Sequence, residues 1–249
     1  MPSFLRAIII LSLGLSALAS HAQSPVRLCA GDGSPWPPYS YFERDQQGNL
    51  IPQSYQGLAI DQLRSALAHS AIEHELFFMP WARLMHEMAS PQGLCDLVWN
   101  ASFSTQRAEF ALFSEVQYRT QLGLFFLPIN PNRSNPDWST AARYCGVNGY
   151  NYAPFVLNTS SMVMADSIGQ ALRMLEAQRC QFFPSELEPI FAGGELGIYV
   201  LPDSLAHIGL GRFKEFHVMI SRRHPQAEQL QQLINQWIAE HPIEFSTGI

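Results

Sequence analysis

Cys95-Asp96-Leu97-Val98-Trp99-Asn100-Ala101-Ser102-Phe103-Ser104-Thr105-Gln106-Arg107 is the stretch on which the reading of this chain turns. A short apolar strand runs into Asn and Ser side chains, and a helix then begins with Ser104 placed to cap it. A Ser at that place takes up an otherwise orphaned backbone N–H. The start of a helix also attracts anions through its dipole and its free N–H groups. Arg107 stands three residues inside that first turn, against the dipole. A bidentate grip on a carboxylate, which the planar guanidinium fits, supplies a reason for it. The alternative is a solvated surface Arg following a loop, and the surrounding pattern has to separate the two.

Upstream, residues 26–30 read as a strand, and Leu58, Ile60, Leu63 and Leu67 recur at helical spacing within residues 57–69. Residues 73–79 form a second strand ended by Pro80, residues 81–89 a second helix, and residues 94–100 a third strand. This alternation predicts an α/β fold with a parallel sheet covered on both faces. Ligands of such sheets bind outside the carboxyl ends of the strands. Asp32, Trp36, Tyr39, Trp81, Asn100, Ser102 and Arg107 all fall there.

Downstream the pattern repeats more weakly. Strands are expected at 144–147, 180–183 and 197–201, and a helix at 167–178 with Ile168, Ala171, Leu172 and Leu175 inward. Two apolar stretches, 121–127 and 216–220, bracket this second unit and read as the two crossovers of a hinge. A closing amphipathic helix is predicted over 225–240, with Ala227, Leu230, Leu233, Ile234 and Trp237 on one face packing onto the first unit. Residues 130–137, rich in Pro and Asn, read as a surface loop.

The ends and the composition set the compartment. Arg6, an uncharged run over 7–19, and Ser20-His21-Ala22 make a secretory signal peptide cut after Ala22, with an apolar core too short to span a bilayer. Its loss takes the formal charge from −6 to −7, an acidic balance that argues against nucleic acid as a partner. Four cysteines in an exported chain read as disulfides before metal ligands. Cys29 sits on the first strand of one half and Cys95 opens its third, while Cys145 sits on the first strand of the other half and Cys180 begins the corresponding later one. That parallel placement favours Cys29–Cys95 and Cys145–Cys180 among three possible connectivities. There is no CxxC or HExxH spacing, no nucleophile elbow and no phosphate loop, so no metal, cofactor or hydrolytic chemistry is expected.

Asn100 to Arg107, followed by Phe113-Ser114, resembles the ligand-carboxylate motif of the family-3 bacterial solute-binding proteins, the periplasmic amino-acid receptors of ABC transporters. Trp36-Pro37-Pro38-Tyr39, Asp45-Gln46-Gln47-Gly48-Asn49 and Gly57-Leu58-Ala59-Ile60-Asp61 are similar to the family's opening signature. The resemblance runs in order from about Val26 to the last helix and is more specific in the first lobe. It implies a periplasmic-binding-protein type II fold: residues 23–120 and 216–249 in one lobe, 121–215 in the other, joined by two hinge strands.

The resemblance further places Ser102 and Arg107 at the family's carboxylate positions and Glu186 at its acidic, ammonium-binding position. Gly149-Tyr150-Asn151-Tyr152 stands for its donor loop, with Tyr150 and Asn151 facing the ligand, and Trp36, Tyr39 and Trp81 as walls. Two departures loosen the amino-acid specificity: the family more often has Asp where Glu186 stands, and Gln181 replaces a frequent second Asp. Arg83 adds a cationic contact or bridges to Asp32 or Glu87. The function implied is capture of a small carboxylate-bearing ligand by a monomer that serves an inner-membrane ABC permease. A ligand-presenting partner of a membrane sensor is the alternative. A cleft dehydratase using Glu186 or Asp32 is the enzymatic alternative.

Overall fold

Val26–Gly31 (β1), His74–Met79 (β2) and Leu97–Ala101 (β3) pair in parallel, in the order β2-β1-β3, in the computed structural model of the chain. The structure describes residues 24–31, 35–47, 49–51, 53–128, 142–157, 160 and 162–243. The signal peptide, Asp32 and the loop 130–137 lie outside them. Buried positions run almost unbroken along β1 because both faces of the sheet are covered. Val26, Leu28 and Ala30 face the cluster that includes Ile60, Leu63 and Leu67 of helix α1, Leu58–His69. Cys29 faces the other way, onto Leu84 and Met88 of α2, Trp81–Ala89.

Local chemistry sets the joints. Pro80 ends β2 and takes the N-cap place of α2 with φ −53°, the value its ring imposes anyway. Gly57 precedes α1 at φ 136°, where a Cβ would lie 2.5 Å from the backbone carbon of Tyr39, so only glycine fits. The four-residue helix α3, Thr105–Ala108, begins as expected: the Ser104 hydroxyl accepts a hydrogen bond from the N–H of Arg107 at 3.2 Å.

Ala111–Phe113 (β4) leads into two long strands, Tyr118–Phe126 (β5) and Ala206–Ser221 (β9), which pair antiparallel from Tyr118–Phe216 to Phe126–Ala206. Beyond Phe216, β9 turns to β3 and β4, pairing Met219 with Val98 and Phe113. One sheet path, β2-β1-β3-β9-β5 and then Phe183–Glu186 (β8), therefore runs through both halves of the molecule. The stretch 216–220, read from the sequence as a crossover, is the end of the crossing strand, where β9 passes from β5 to β3 and β4. That stretch belongs to the first lobe's sheet, and the strand that crosses begins ten residues earlier, at Ala206.

The second lobe holds Cys145–Val147 (β6) parallel to Val163–Ala165 (β7), the helix Ile168–Glu176 (α4), Phe183–Glu186 (β8) and the helix Leu187–Glu195 (α5). β8 pairs antiparallel with β5. Two expectations need correction here. Cys180 precedes β8 rather than opening it, and residues 197–201 form a turn, not a strand. Tyr199 there is buried, and its ring packs against Gly193, where an added Cβ would collide with it.

Both disulfides are formed, Cys29–Cys95 and Cys145–Cys180, with Cα separations of 5.6 and 5.5 Å. The last helix, Ala227–Glu240 (α6), lies on α1, and the Gln62 amide donates to the carbonyl of His241. Leu230, Ile234 and Ile238 are its buried stripe, while Leu233 and Trp237 are only half-buried. No helix among the described residues is long and apolar enough to cross a membrane.

Candidate ligand-binding site

The carboxyl ends of β1 and β3, the start of α3, the loop after β6 and the middle of β9 surround a cavity enclosing about 500 Å³, part of it open to solvent. Trp36, Trp81, Asn100, Ser102, Arg107, Tyr150 and Asn151 all line it. Tyr39 does not. It is buried behind the wall, stacked on Tyr118 at 3.7 Å. Glu186 is also set back, at the end of β8 and 1 % exposed. Arg83 is solvated and bridges to Glu87 at 3.8 Å. Asp32 falls outside the described residues.

Asn100 owes its place to a bulge. The register of β3 against β9 shifts between Val98 and Ala101, and Asn100 takes the left-handed conformation, φ 57°, which Asn tolerates better than most residues. Its side chain is then locked at both ends. The amide donates to the Ser40 hydroxyl at 2.6 Å, and the carbonyl accepts from the Tyr118 hydroxyl at 2.6 Å.

Arg107 is buried, at 8 % exposure, and no carboxylate pairs with it among the described residues. Its Nη1 donates to the carbonyl of Ser102 at 2.7 Å and to that residue's hydroxyl at 3.2 Å, and its Nη2 donates to the carbonyl of Gly149 at 3.0 Å. The guanidinium also lies 5.9 Å from the ring centre of Trp81, within cation–π range. Burial without a counter-charge pushes its pKa down to about 10.

The same Gly149 carbonyl accepts from Trp81 Nε1 at 3.1 Å, so it joins the second lobe to two residues of the first. Gly149 sits at φ 78°, and a Cβ there would come within 3.0 Å of the Trp81 ring. Asn151 adds a second tie, its amide donating to the Phe103 carbonyl at 3.0 Å and the Ser102 hydroxyl at 3.3 Å. Tyr150 sets its ring edge-on to both Trp36 and Trp81.

Lys214, on β9, is the residue that sequence reasoning missed. It lines the cavity at 5 % exposure, donating to Glu186 at 2.6 Å and to the Asn151 carbonyl at 2.9 Å. Burial lowers its pKa, the charge and hydrogen bond of Glu186 act the other way, and the charge of Arg107 lowers it further. A signal for it exists in the alternation of β9: Phe216, Val218 and Ile220 face inward, and two residues before Phe216 is Lys214.

Two α/β lobes linked by crossing strands make a periplasmic-binding-protein-like fold. Solved structures share it. The chain is similar to the substrate-binding protein of an amino acid ABC transporter, with a TM-score of 0.67 at 14% identity over 86% of this chain and 92% of that one. It is similar to a histidine kinase sensor domain resembling periplasmic binding proteins, with a TM-score of 0.68 at 16% identity over 87% and 90%. A histidine-bound substrate-binding protein of an ABC uptake transporter from Streptococcus pneumoniae gives 0.67 at 15% identity over 87% and 86%. No family model and no curated protein matches the sequence.

Proposed function

We propose that the protein is a periplasmic solute receptor that captures a small carboxylate-bearing ligand, an amino acid or a close relative, between its lobes for delivery to an inner-membrane ABC permease. In this reading residues 1–22 are a signal peptide, residues 23–120 and 216–249 build one lobe, and residues 121–215 build the other. The observation that carries it is the buried guanidinium of Arg107, which has no carboxylate partner among the described residues and faces a cavity walled by Trp36, Trp81 and Tyr150. A buried charge is costly unless it is paired, and a ligand carboxylate is the partner that the planar fork suits. Asn100, Ser102 and Asn151 surround the same point. Two disulfides suit an oxidising compartment.

The test is a thermal-shift screen of the protein lacking residues 1–22 against amino acids and small organic acids, followed by calorimetric titration. A binder at a hundredfold excess over its Kd stabilises the fold by about 2.7 kcal/mol. A screen in which no carboxylate binds would overturn the reading. The likeness to a histidine kinase sensor domain supports a second role, presentation of the ligand to a membrane sensor. Binding of the purified receptor to a permease, against binding to a sensor, separates the two. A dehydratase using Glu186 is disfavoured because that carboxyl is tied to Lys214, while Asp32 lies outside the described residues. Recovery of the bound ligand unchanged after incubation tests that point.

A further inference from the structure

We infer that the ligand is a carboxylate without an α-ammonium group, a deaminated relative of an amino acid with an apolar or aromatic body, because Lys214 already occupies Glu186. The inference rests on the solute-receptor reading and narrows its ligand class. An α-amino acid brings one negative and one positive charge, so its site needs a cation and an acid. Among the described residues the cations here are Arg107 and Lys214, and the acid beside them is Glu186, which the Lys214 ammonium holds at 2.6 Å. The protein thus supplies from its own chain the ammonium that a ligand would bring, and one positive charge is left over.

The polar groups on the wall agree. No carboxylate lines the cavity among the described residues. The side-chain carbonyls of Asn100 and Asn151 already accept from the Tyr118 hydroxyl and the Ala153 N–H. Donors, in contrast, remain: the guanidinium has no anion, and the indole N–H of Trp36, on the same wall, is buried without a hydrogen-bond partner. Among the described residues, an ammonium entering here would meet the uncompensated charge of Arg107 and no free acid, a costly arrangement. A carboxylate on a flat or aliphatic body would neutralise Arg107 and fill the space between the indole and phenol rings.

The experiment is calorimetric titration with matched pairs that differ only in the amino group: phenylalanine and 3-phenylpropionate, leucine and 4-methylpentanoate, glutamate and glutarate. Wherever a pair binds, the deaminated member is expected to bind at least about tenfold more tightly. Tighter or equal binding of the amino acids would overturn this inference while leaving the receptor reading intact. If none of these six binds while the broader screen finds an amino acid that does, the inference is overturned alone; the receptor reading falls only if that screen finds no carboxylate. Lys214→Gln, which frees Glu186 to accept an ammonium, should narrow or reverse the preference, and an unchanged preference in a folded variant would overturn the inference. If that variant does not fold, the wild-type titrations decide alone.

Discussion

Arg107 and Lys214 reach the same cavity, one from the first turn of α3 and the other from the middle of β9, and both are almost fully buried. Their surroundings differ. Lys214 has a carboxylate at 2.6 Å, a carbonyl at 2.9 Å, and the rings of Phe155 and Phe216 at 5.8 and 5.3 Å. Arg107 has carbonyls, a hydroxyl and an indole face, with no opposite charge among the described residues. A buried charge that the chain compensates belongs to the fold. One left uncompensated among the described residues is the charge that the proposed ligand would neutralise.

The sharpest way to break that contrast is to remove the compensation. Glu186→Ala strands a buried ammonium and is expected to lower the unfolding free energy by about 3–5 kcal/mol, measured by chemical denaturation without ligand. Glu186→Leu combined with Lys214→Met should recover most of that loss, since no orphan charge remains. A single mutant within about 0.5 kcal/mol of wild type would show that the pair is not structural.

Arg107→Ala should act on the other quantity. Loss of one partner of a desolvated charge pair costs about 2–5 kcal/mol of binding, roughly 30- to several-thousandfold in affinity. Its ligand-free unfolding midpoint should move less than that of Glu186→Ala. Arg107→Lys should also bind poorly, because an ammonium cannot reproduce the fork. A Lys variant that titrates like wild type would remove Arg107 from the carboxylate site.

Ser104→Ala probes how Arg107 is held. Loss of the cap hydrogen bond should cost about 1 kcal/mol of stability and weaken ligand binding with it, since the cap fixes the turn that carries the guanidinium. Unchanged affinity would mean that the carbonyls of Ser102 and Gly149 suffice to position Arg107.

The smallest effect lies away from the cavity, where Asp96 grips Arg27 at 2.6 Å between β1 and the start of β3. Burial works against the charged carboxyl, but the hydrogen bonds and charge of Arg27 outweigh it and hold its pKa below the usual range. Such a group stabilises the fold above its unfolded value of about 3.9, and the contribution is lost as the pH falls through the depressed folded value. Asp96→Asn should therefore cost less than about 1 kcal/mol at neutral pH, as the Arg27 side chain is partly solvated, and flatten the acid limb of the stability curve. Denaturation series at pH 7 and pH 3 check it.

The alternation of β1, α1, β2, α2 and β3 was legible because a half-covered helix and a doubly covered strand leave different periods in the chain. The Ser104 cap was legible because it spans three residues, and the cysteine pairs because each half repeats one placement. The turn at 197–201 was not. Its apolar run has the look of a strand, but Tyr199 is buried from a turn through contact with Gly193, and its hydroxyl reaches the Pro35 carbonyl, 164 residues away.

The sequence alone determined that cationic and aromatic residues gather at the carboxyl ends of a parallel sheet. Each of those features follows from residue type and local spacing. Which charges cancel was decided only by tertiary structure. Lys214 and Glu186 stand 28 residues apart and meet because β5 lies between their strands, pairing Thr120 with Lys214 on one side and Leu122 with Glu186 on the other. That register depends on two long-range pairings at once. No local pattern encodes it, and so the counter-ion that separates a compensated charge from an uncompensated one is visible only once the strands are in place.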